Sequence, residues 1–214
     1  MASLKQLKSG VVGVIRDASL SELLAEYAEV GLDYLLEEGV AKDIPGVSTL
    51  RAVVALPAAV SDRLLLHKLQ RFLEALSAVS AKDRAAMVER LEVDPDYGRT
   101  VGAHVVDLLS RVESDRKPAM VGFVFRAYAE GSIGTRDLHR LCVAIERIPV
   151  HEIPQVRTFA ESEPSLTPVA DEVTLNQLVS AGLAHSHSAY GGALFKPTTV
   201  CEVFIRLGLD RVDG

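Results

Sequence analysis

The stretch that decides the fold is SDRLLLHKLQRFLEAL, residues 61–76. Its apolar residues recur at steps of three and four, which places them on one side of an α-helix. They are Leu64, Leu65, Leu69, Phe72, Leu73 and Leu76. The other side carries Arg63, Lys68, Arg71 and Glu74. Ser61 can accept a hydrogen bond from the first turn, so we expect it to cap a helix whose leucine face packs into a core.

The same periodicity predicts further helices along the chain. They are expected at residues 20–38, 82–91, 100–112, 118–129, 135–148, 172–181 and 198–207. Thr135 is expected to cap the helix that follows it. A turn at residues 42–46 contains Pro45 and Gly46, and a short apolar segment follows it. The sequence therefore predicts a mainly α protein with a multi-helix, bundle-like body over residues 1–150.

The composition changes between residues 149 and 171. Four prolines occur there together with serine and threonine, namely Pro149, Pro154, Pro164 and Pro168. Because proline interrupts regular structure, we expect residues 151–170 to form a linker or an irregular connection. Residues 171–214 are then expected to form a small C-terminal α+β module.

The C-terminal module has a recognisable order of local signals. A helix ends in Ala-Gly-Leu at residues 181–183, a polar hairpin contains the pair Gly191 and Gly192, and a strand leads through Pro197 into a closing helix. Paired glycines supply the positive φ angles that a tight hairpin requires. This order resembles the end of a winged-helix module. The resemblance implies a winged-helix-like fold for residues 171–214.

The expected wing offers His185, His187, Tyr190 and Lys196 as candidate contacts. It contains no arginine and a single lysine, so contacts to phosphate would be few. His185 and His187 would share one face of a strand, as two metal ligands could. The segment has no cysteine or carboxylate to complete a metal site. We therefore expect solvated histidines, no metal, and a protein partner rather than nucleic acid.

The bulk properties are those of a globular protein. Apolar residues make up 48% of the chain and charged residues 24%, and the formal net charge is -6. This charge argues against a dedicated nucleic-acid binder, because duplex affinity comes largely from lysine and arginine. Cys142 and Cys201 lie among apolar neighbours and are expected to be buried free thiols. Arginine outnumbers lysine 16 to 7, a bias that favours a bacterial source.

No complete catalytic or cofactor motif occurs in the sequence. G-x-S-x-G, a phosphate-binding glycine loop and H-E-x-x-H are all absent. Residues 127–137 resemble the second half of a calcium loop, yet Arg126 and Tyr128 stand where its first carboxylates should be. His67 and His104 lie within expected helices and are not expected to act as bases. We therefore expect no catalytic residue, no cofactor and no enzymatic activity.

Several phrases in order resemble a widespread family of helical bacterial proteins that has no assigned activity. The phrases are residues 42–46, 69–73, 91–95, 125–133 and 182–183 with the final helix. They are turns and core positions, so the resemblance implies a fold and transfers no catalytic residue. Proteins of this kind are often accessory gene products, which implies a role in defence or stress responses.

The N-terminal segment admits two interpretations. Residues 4–15 carry six apolar side chains beside Lys5, Lys8 and Arg16, which is typical of a short helix attracted to anionic lipid. The same segment, together with the apolar residues 47–60, could instead be core. Neither is long enough for a transmembrane helix, and residues 10–15 are too short for a secretory signal peptide.

These observations lead to three hypotheses about function. The first is a non-enzymatic cytoplasmic sensor or adaptor that binds another protein. The second is a sensor or effector peripheral to the inner membrane, with Lys5, Lys8 and Arg16 as its lipid contacts. The third is a transcriptional regulator that contacts DNA through the C-terminal module, which a basic stripe around Lys196 and Arg206 would favour.

Overall fold

The computed structural model of the protein describes residues 2–22, 24–25, 60–95, 97–98, 100–113, 116–162, 170–189 and 192–213. The α-helices with defined bounds are α1 (Ala2–Arg16), α2 (Val60–Leu76), α3 (Ala81–Val93), α4 (Val101–Arg111), α5 (Arg116–Ala129), α6 (Thr135–Arg147), α7 (Ile153–Glu161), α8 (Glu172–Ser180) and α9 (Thr199–Arg206). The strands are β1 (Ala184–Ala189) and β2 (Gly192–Pro197), and 3₁₀ turns cover Val150–Glu152 and Leu209–Arg211. The predicted fold class, mainly α with a small C-terminal α+β unit, is confirmed.

Helices α2 and α5 form the most extensive contact among the described helices of the body. The contact is tight at Gly122 of α5, where a Cβ atom would lie 2.4 Å from the carbonyl oxygen of Phe72 and 2.7 Å from Cβ of Ala75. Phe72 and Phe125 meet edge to face across the same interface, with ring centroids 5.4 Å apart. Leu69, Phe72, Leu73 and Leu76 of the predicted leucine face are core. Leu64 is exposed and Lys68 of the predicted polar side is buried, so the prediction is wrong for these two residues. Glycine at position 122 lets the two backbones approach.

Helix α1 packs against α3 and α4. Its residues Val11, Val14 and Ile15 are buried, so this part of the N-terminal apolar segment belongs to the core. Arg84 of α3 is also buried and donates hydrogen bonds to the carbonyl oxygens of Ile15, Asp17 and Val79. It thereby satisfies backbone acceptors in the last turn of α1, directly after α1 and after α2, where helical hydrogen-bond partners are missing. Within the described ranges, no helix has the length and apolar character needed to cross a bilayer.

The start of α6 differs from the prediction for Thr135. Gly134 is the N-cap residue and gives no side-chain hydrogen bond, while Thr135 is the first residue of the helix. The hydroxyl of Thr135 donates instead to Oδ2 of Asp94 at 2.7 Å. The expectation that Thr135 caps α6 is therefore wrong, because its hydroxyl joins this helix to the turn after α3.

Residues 151–161, expected to belong to a linker or irregular connection, have regular structure instead. A 3₁₀ turn and helix α7 occupy this region, and α7 buries Ile153, Val156 and Phe159 in the core. Pro154 lies in the first turn of α7, where its missing N–H removes no helical hydrogen bond. The proline that indicated a break therefore helps to start a helix. Residues 163–169 of the expected linker lie outside the described residues.

The C-terminal unit has the order α8, β1, β2, α9 that the sequence predicts. The strands are antiparallel, with Ala184 opposite Pro197 and Ala189 opposite Gly192. Gly192 is thus a strand residue rather than part of the turn, and Gly191 lies outside the described residues. Helix α9 packs on α6 and α7, and the buried side chains of this unit belong to the same apolar cluster as those of the body.

Several sequence predictions concern residues that the structure does not describe. These are the turn at residues 42–46, the apolar segment at 47–59, and residues 26–38 of the expected helix at 20–38. The residues at the start of that helix, 20–22 and 24–25, are helical. Ser61, the expected cap, lies within α2, and its side chain is not among those that the structure describes.

Candidate functional site

A groove of about 510 Å³ lies between α6 and the C-terminal unit. One wall is the outer face of α6 with His139, Arg140, Val143 and Arg147. The other wall consists of residues 179–182 at the end of α8 and residues 198–200 at the start of α9. Its size is in the range of pockets that bind ligands or side chains of a partner. We call this feature the α6 groove.

The periodicity of α6 explains why cationic side chains line the groove. Leu138, Leu141, Cys142 and Ile145 are buried on the inner face. Arg136, Arg140 and Arg147 occupy positions that project within about 40° of one another on the opposite face, given 3.6 residues per turn. All three arginines are exposed. A buried face thus directs the arginines outward as a stripe.

Within the described residues, no carboxylate lies within 4.0 Å of the guanidinium groups of Arg136, Arg140 or Arg147. Several exposed arginines elsewhere have such partners, as when Arg111 pairs with Asp107 and Glu146. Arg147 donates to the carbonyl oxygen of Ser180 across the groove at 3.4 Å. The stripe therefore presents positive charge without local neutralisation by described residues.

The opposite wall is held by backbone geometry. Gly182 ends α8 with φ of 74°, a left-handed conformation that favours glycine. Its N–H donates to the carbonyl oxygen of Val179, and the N–H of Leu183 donates to that of Leu178, both at 2.9 Å. The hydroxyl of Thr198 donates to the carbonyl oxygen of Gly182 at 2.7 Å and accepts from the N–H of Cys201. Thr198 therefore joins the end of α8 to the start of α9.

His139 lies between the groove and a cluster of buried rings. Its imidazole stacks on Tyr97 with centroids 5.3 Å apart and lies 5.6 Å from His104. His104 is buried and meets Phe125 edge to face. The ring of His104 is thus part of this interior stack. The cluster fixes the inner end of the groove to the core of the body.

The predicted C-terminal contacts lie on a different surface. His185 and His187 are exposed, and their rings are 4.7 Å apart at 90°. The strand register places Lys196 opposite His185 and Leu194 opposite His187, so these four residues share one face of the hairpin. Tyr190 lies outside the described residues. No group of three or more His, Cys, Asp or Glu side chains that could hold a metal occurs in the described part of the chain.

The N-terminal candidate contacts are only partly described. Arg16 is exposed, and its guanidinium lies 3.7 Å from a carboxylate oxygen of Glu92. Lys5 and Lys8 belong to α1, but their side chains are not among those that the structure describes. Because Val11, Val14 and Ile15 are buried, the apolar face that was to enter lipid is at least half occupied by the core.

Both cysteines are buried free thiols, as predicted. Burial raises the pKa of Cys142 and of Cys201 to about 12, with the nearby carboxylates of Glu146 and Glu202 adding to the effect. The thiolate is the reactive form of cysteine, so these side chains stay protonated and unreactive near neutral pH.

Comparison with known protein families, with curated proteins and with solved structures finds no match to this chain. The chemistry of the groove is therefore argued from its own residues. It combines guanidinium groups with the apolar side chains of Val143, Val179 and Val200. Guanidinium groups bind carboxylates or phosphates in a planar, two-pronged geometry. The site can thus bind an anionic ligand that also carries an apolar part.

The sequence analysis missed the α6 groove, although a signal was present. Arg136, Arg140 and Arg147 share one helical face, and no acidic residue stands four positions from any of them. An isolated basic stripe on an otherwise acidic chain could have been noticed. The opposite wall of the groove could not have been predicted, because it comes from residues more than 30 positions later in the sequence.

Proposed function

We propose that this protein is a non-enzymatic sensor or adaptor that binds another protein through the α6 groove. The observation that carries the proposal is the stripe of exposed arginines on α6, Arg136, Arg140 and Arg147. None of them forms an ion pair with a described carboxylate, and the groove beside them contains the exposed side chain of Val143. Arginine is enriched in protein interfaces, and interface centres are more apolar than their rims. A stripe of this kind on a chain with a net charge of -6 is a localised recognition feature.

The proposal extends to the setting of the protein. The phrases that resemble a family of helical bacterial proteins, together with the arginine bias, support a bacterial cytoplasmic protein. The same resemblance supports membership of that family and a role in defence or stress responses. These points rest on the sequence.

Two alternatives have less support. DNA binding by a winged-helix-like unit would require several cationic side chains on the hairpin. The hairpin face with His185 and His187 carries Lys196, and residues 184–197 contain no other lysine and no arginine. Membrane association through α1 would require a free apolar face, yet Val11, Val14 and Ile15 are in the core. Protein binding at the α6 groove needs neither condition.

Site-specific cross-linking tests the proposal. A benzophenone amino acid is placed at Val143 in the groove, and at Val93, an exposed valine of α3, as a matched control. In cells of the native host, we expect irradiation to give a discrete cross-linked protein with the label at 143. The control position should give no such product. The proposal is wrong if both positions yield the same products or if position 143 yields none.

A further inference from the structure

We infer that the partner of the α6 groove is an acidic polypeptide segment with an apolar side chain that inserts between Arg140 and Arg147. The inference rests on the proposed function and specifies the chemistry of the partner. Arg140, Val143 and Arg147 line the same groove in the order cation, apolar, cation. A complementary segment would present carboxylates on both sides of an apolar residue.

Charge complementarity is the first argument. Carboxylates of the chain neutralise many of its other arginines, including Arg16, Arg71, Arg126 and Arg157. The groove arginines lack such partners in the described part of the chain. Exposed cations attract an anionic segment, whereas the acidic remainder of the protein's surface repels it, which favours docking at the groove.

The apolar part of the groove favours a polypeptide over a nucleic acid. Val143, Val179 and Val200 contribute to the lining, and His139 is the one ring among the described lining residues. Nucleic-acid strands bound without duplex contacts usually stack their bases on aromatic side chains or on arginine, along a positively charged channel. An aliphatic side chain such as leucine matches the valines better than a base does, because apolar contact removes both surfaces from water.

The spacing also suits a short polypeptide. Arg140 and Arg147 are seven residues apart, which corresponds to about 10 Å along a helix. An extended segment covers that length in about three residues. Two carboxylates separated by this distance can each meet one guanidinium while the intervening side chain lies over Val143. The hairpin face with His185 and His187 takes no part in this arrangement.

Selection from a random peptide library tests the inference on the purified full chain. We expect the enriched peptides to contain acidic residues on both sides of an apolar residue. The charge-reversal variant Arg140→Glu with Arg147→Glu should not enrich these peptides. The inference is overturned if nothing is enriched, if the enriched peptides are neutral or basic, or if the variant enriches the same set.

Fluorescence anisotropy with a labelled enriched peptide gives the affinity. We expect the charge-reversal variant to weaken binding by at least about tenfold, which corresponds to about 1.4 kcal/mol. The matched control, Lys82→Glu with Arg206→Glu, changes the net charge equally at exposed positions outside the groove lining and should keep the affinity within about twofold. Equal weakening in both variants would show unspecific attraction and overturn the inference.

Two further arms separate the outcomes. The neutral variant Arg140→Gln with Arg147→Gln replaces the charge reversal if circular dichroism shows that the latter is misfolded. A single-stranded oligonucleotide and a polyphosphate are offered in place of the peptide, and tighter binding of either would overturn the inference. A cross-link from position 143 to a neutral or basic segment of a partner would support protein binding at the groove. It would contradict the inference that the bound segment is acidic.

Discussion

Lys117 is a fully buried cation at the start of α5. Its Nζ donates to the carbonyl oxygen of Glu146 at 3.1 Å and lies 3.6 Å from a carboxylate oxygen of the exposed Glu113. The charge therefore faces the C-terminal end of α6, where a cation is favourable. Burial lowers the pKa of Lys117 below its usual 10.5, and the carboxylates of Glu113 and Glu146 oppose this effect.

The sign of the shift predicts how Lys117→Met behaves. A lowered pKa means that the unfolded chain holds this proton more tightly, so the buried charge opposes folding at neutral pH. We expect Lys117→Met to leave the free energy of unfolding unchanged or to raise it by up to about 2 kcal/mol at pH 7. The difference from the native protein should shrink as the pH rises through the lowered pKa toward 10.5.

Urea denaturation at several pH values measures this difference. Glu113→Gln is the control, because it removes only an exposed partner and should cost less than about 1 kcal/mol. A loss of more than 2 kcal/mol in Lys117→Met at pH 7 would contradict the prediction. Such a result would mean that the hydrogen bond to the carbonyl oxygen of Glu146 outweighs the burial of the charge.

Arg157 supports a second residue-level prediction. Its guanidinium donates two hydrogen bonds to the nearly buried carboxylate of Asp210, at 2.7 and 2.9 Å, and one to the exposed Glu161. Removing this guanidinium leaves the nearly buried carboxylate of Asp210 with only the more distant, exposed Arg211, at 4.0 Å, among its described ion-pair partners. We expect Arg157→Gln to lower the free energy of unfolding by more than the loss of an exposed ion pair does, measured by thermal or urea denaturation.

Glu161→Gln is the matched control for Arg157. It removes the exposed partner of the same guanidinium and leaves both bonds to Asp210 in place. An exposed pair contributes about 0.2–1 kcal/mol, so this variant should remain close to the native protein. Similar losses in the two variants would show that the pair with Asp210 is no stronger than a surface ion pair.

At the scale of elements, the approach of α2 and α5 depends on Gly122. Alanine in a helix interior is ordinarily more favourable than glycine by about 1 kcal/mol. Here the added Cβ would meet the backbone carbonyl of Phe72 at 2.4 Å, so the two helices would have to separate. We expect Gly122→Ala to lower the free energy of unfolding by about 1–3 kcal/mol in urea denaturation.

Gly134→Ala is the control for this steric argument. No atom lies within 4 Å of a Cβ at Gly134, and its φ is −93°, which alanine adopts without strain. The loss should stay within about 1 kcal/mol, the usual effect of an altered cap. If Gly122→Ala were as stable as the native protein, the α2–α5 contact would be looser than the structure shows.

The elements show which sequence signals sufficed. Apolar periodicity predicted α2 to α6 and the order of the C-terminal unit, because burial of one face fixes both pattern and structure. It failed for α7, where Pro154 was taken as a break although proline is compatible with a first turn. It also failed for the cap of α6, because the partner of Thr135 is Asp94, 41 residues earlier in the chain.

At the scale of the molecule, the α6 groove exists because α8 and α9 pack beside α6. Arg147 and Ser180 are 33 residues apart in sequence and meet across it. The cationic wall can be read from the spacing along one helix. The other wall depends on long-range packing that no local pattern specifies. Sequence reasoning therefore pointed to the exposed histidines of the hairpin rather than to the arginines of α6.

The shared apolar cluster predicts that the C-terminal unit and the helical body unfold together. Phe204 of α9 is fully buried in this cluster, as are Ile145 of α6 and Val156 of α7. We expect Phe204→Ala to lower the free energy of unfolding by about 3–5 kcal/mol, because it removes a large side chain and leaves a cavity. The loss should appear in amides of α5 as strongly as in those of β1 and α9.

Native-state hydrogen exchange in increasing urea measures both regions in one experiment. If the described residues form one cooperative unit, amides in α5 and α9 should give the same free energy of opening as the urea concentration approaches that of global unfolding. Phe204→Ala should then lower this free energy equally in the two helices. If residues 171–214 were an independent module, β1 and α9 would lose protection at lower urea while α5 kept the value of the native protein. That separation would contradict the prediction and would mean that the α6 groove opens without unfolding the body.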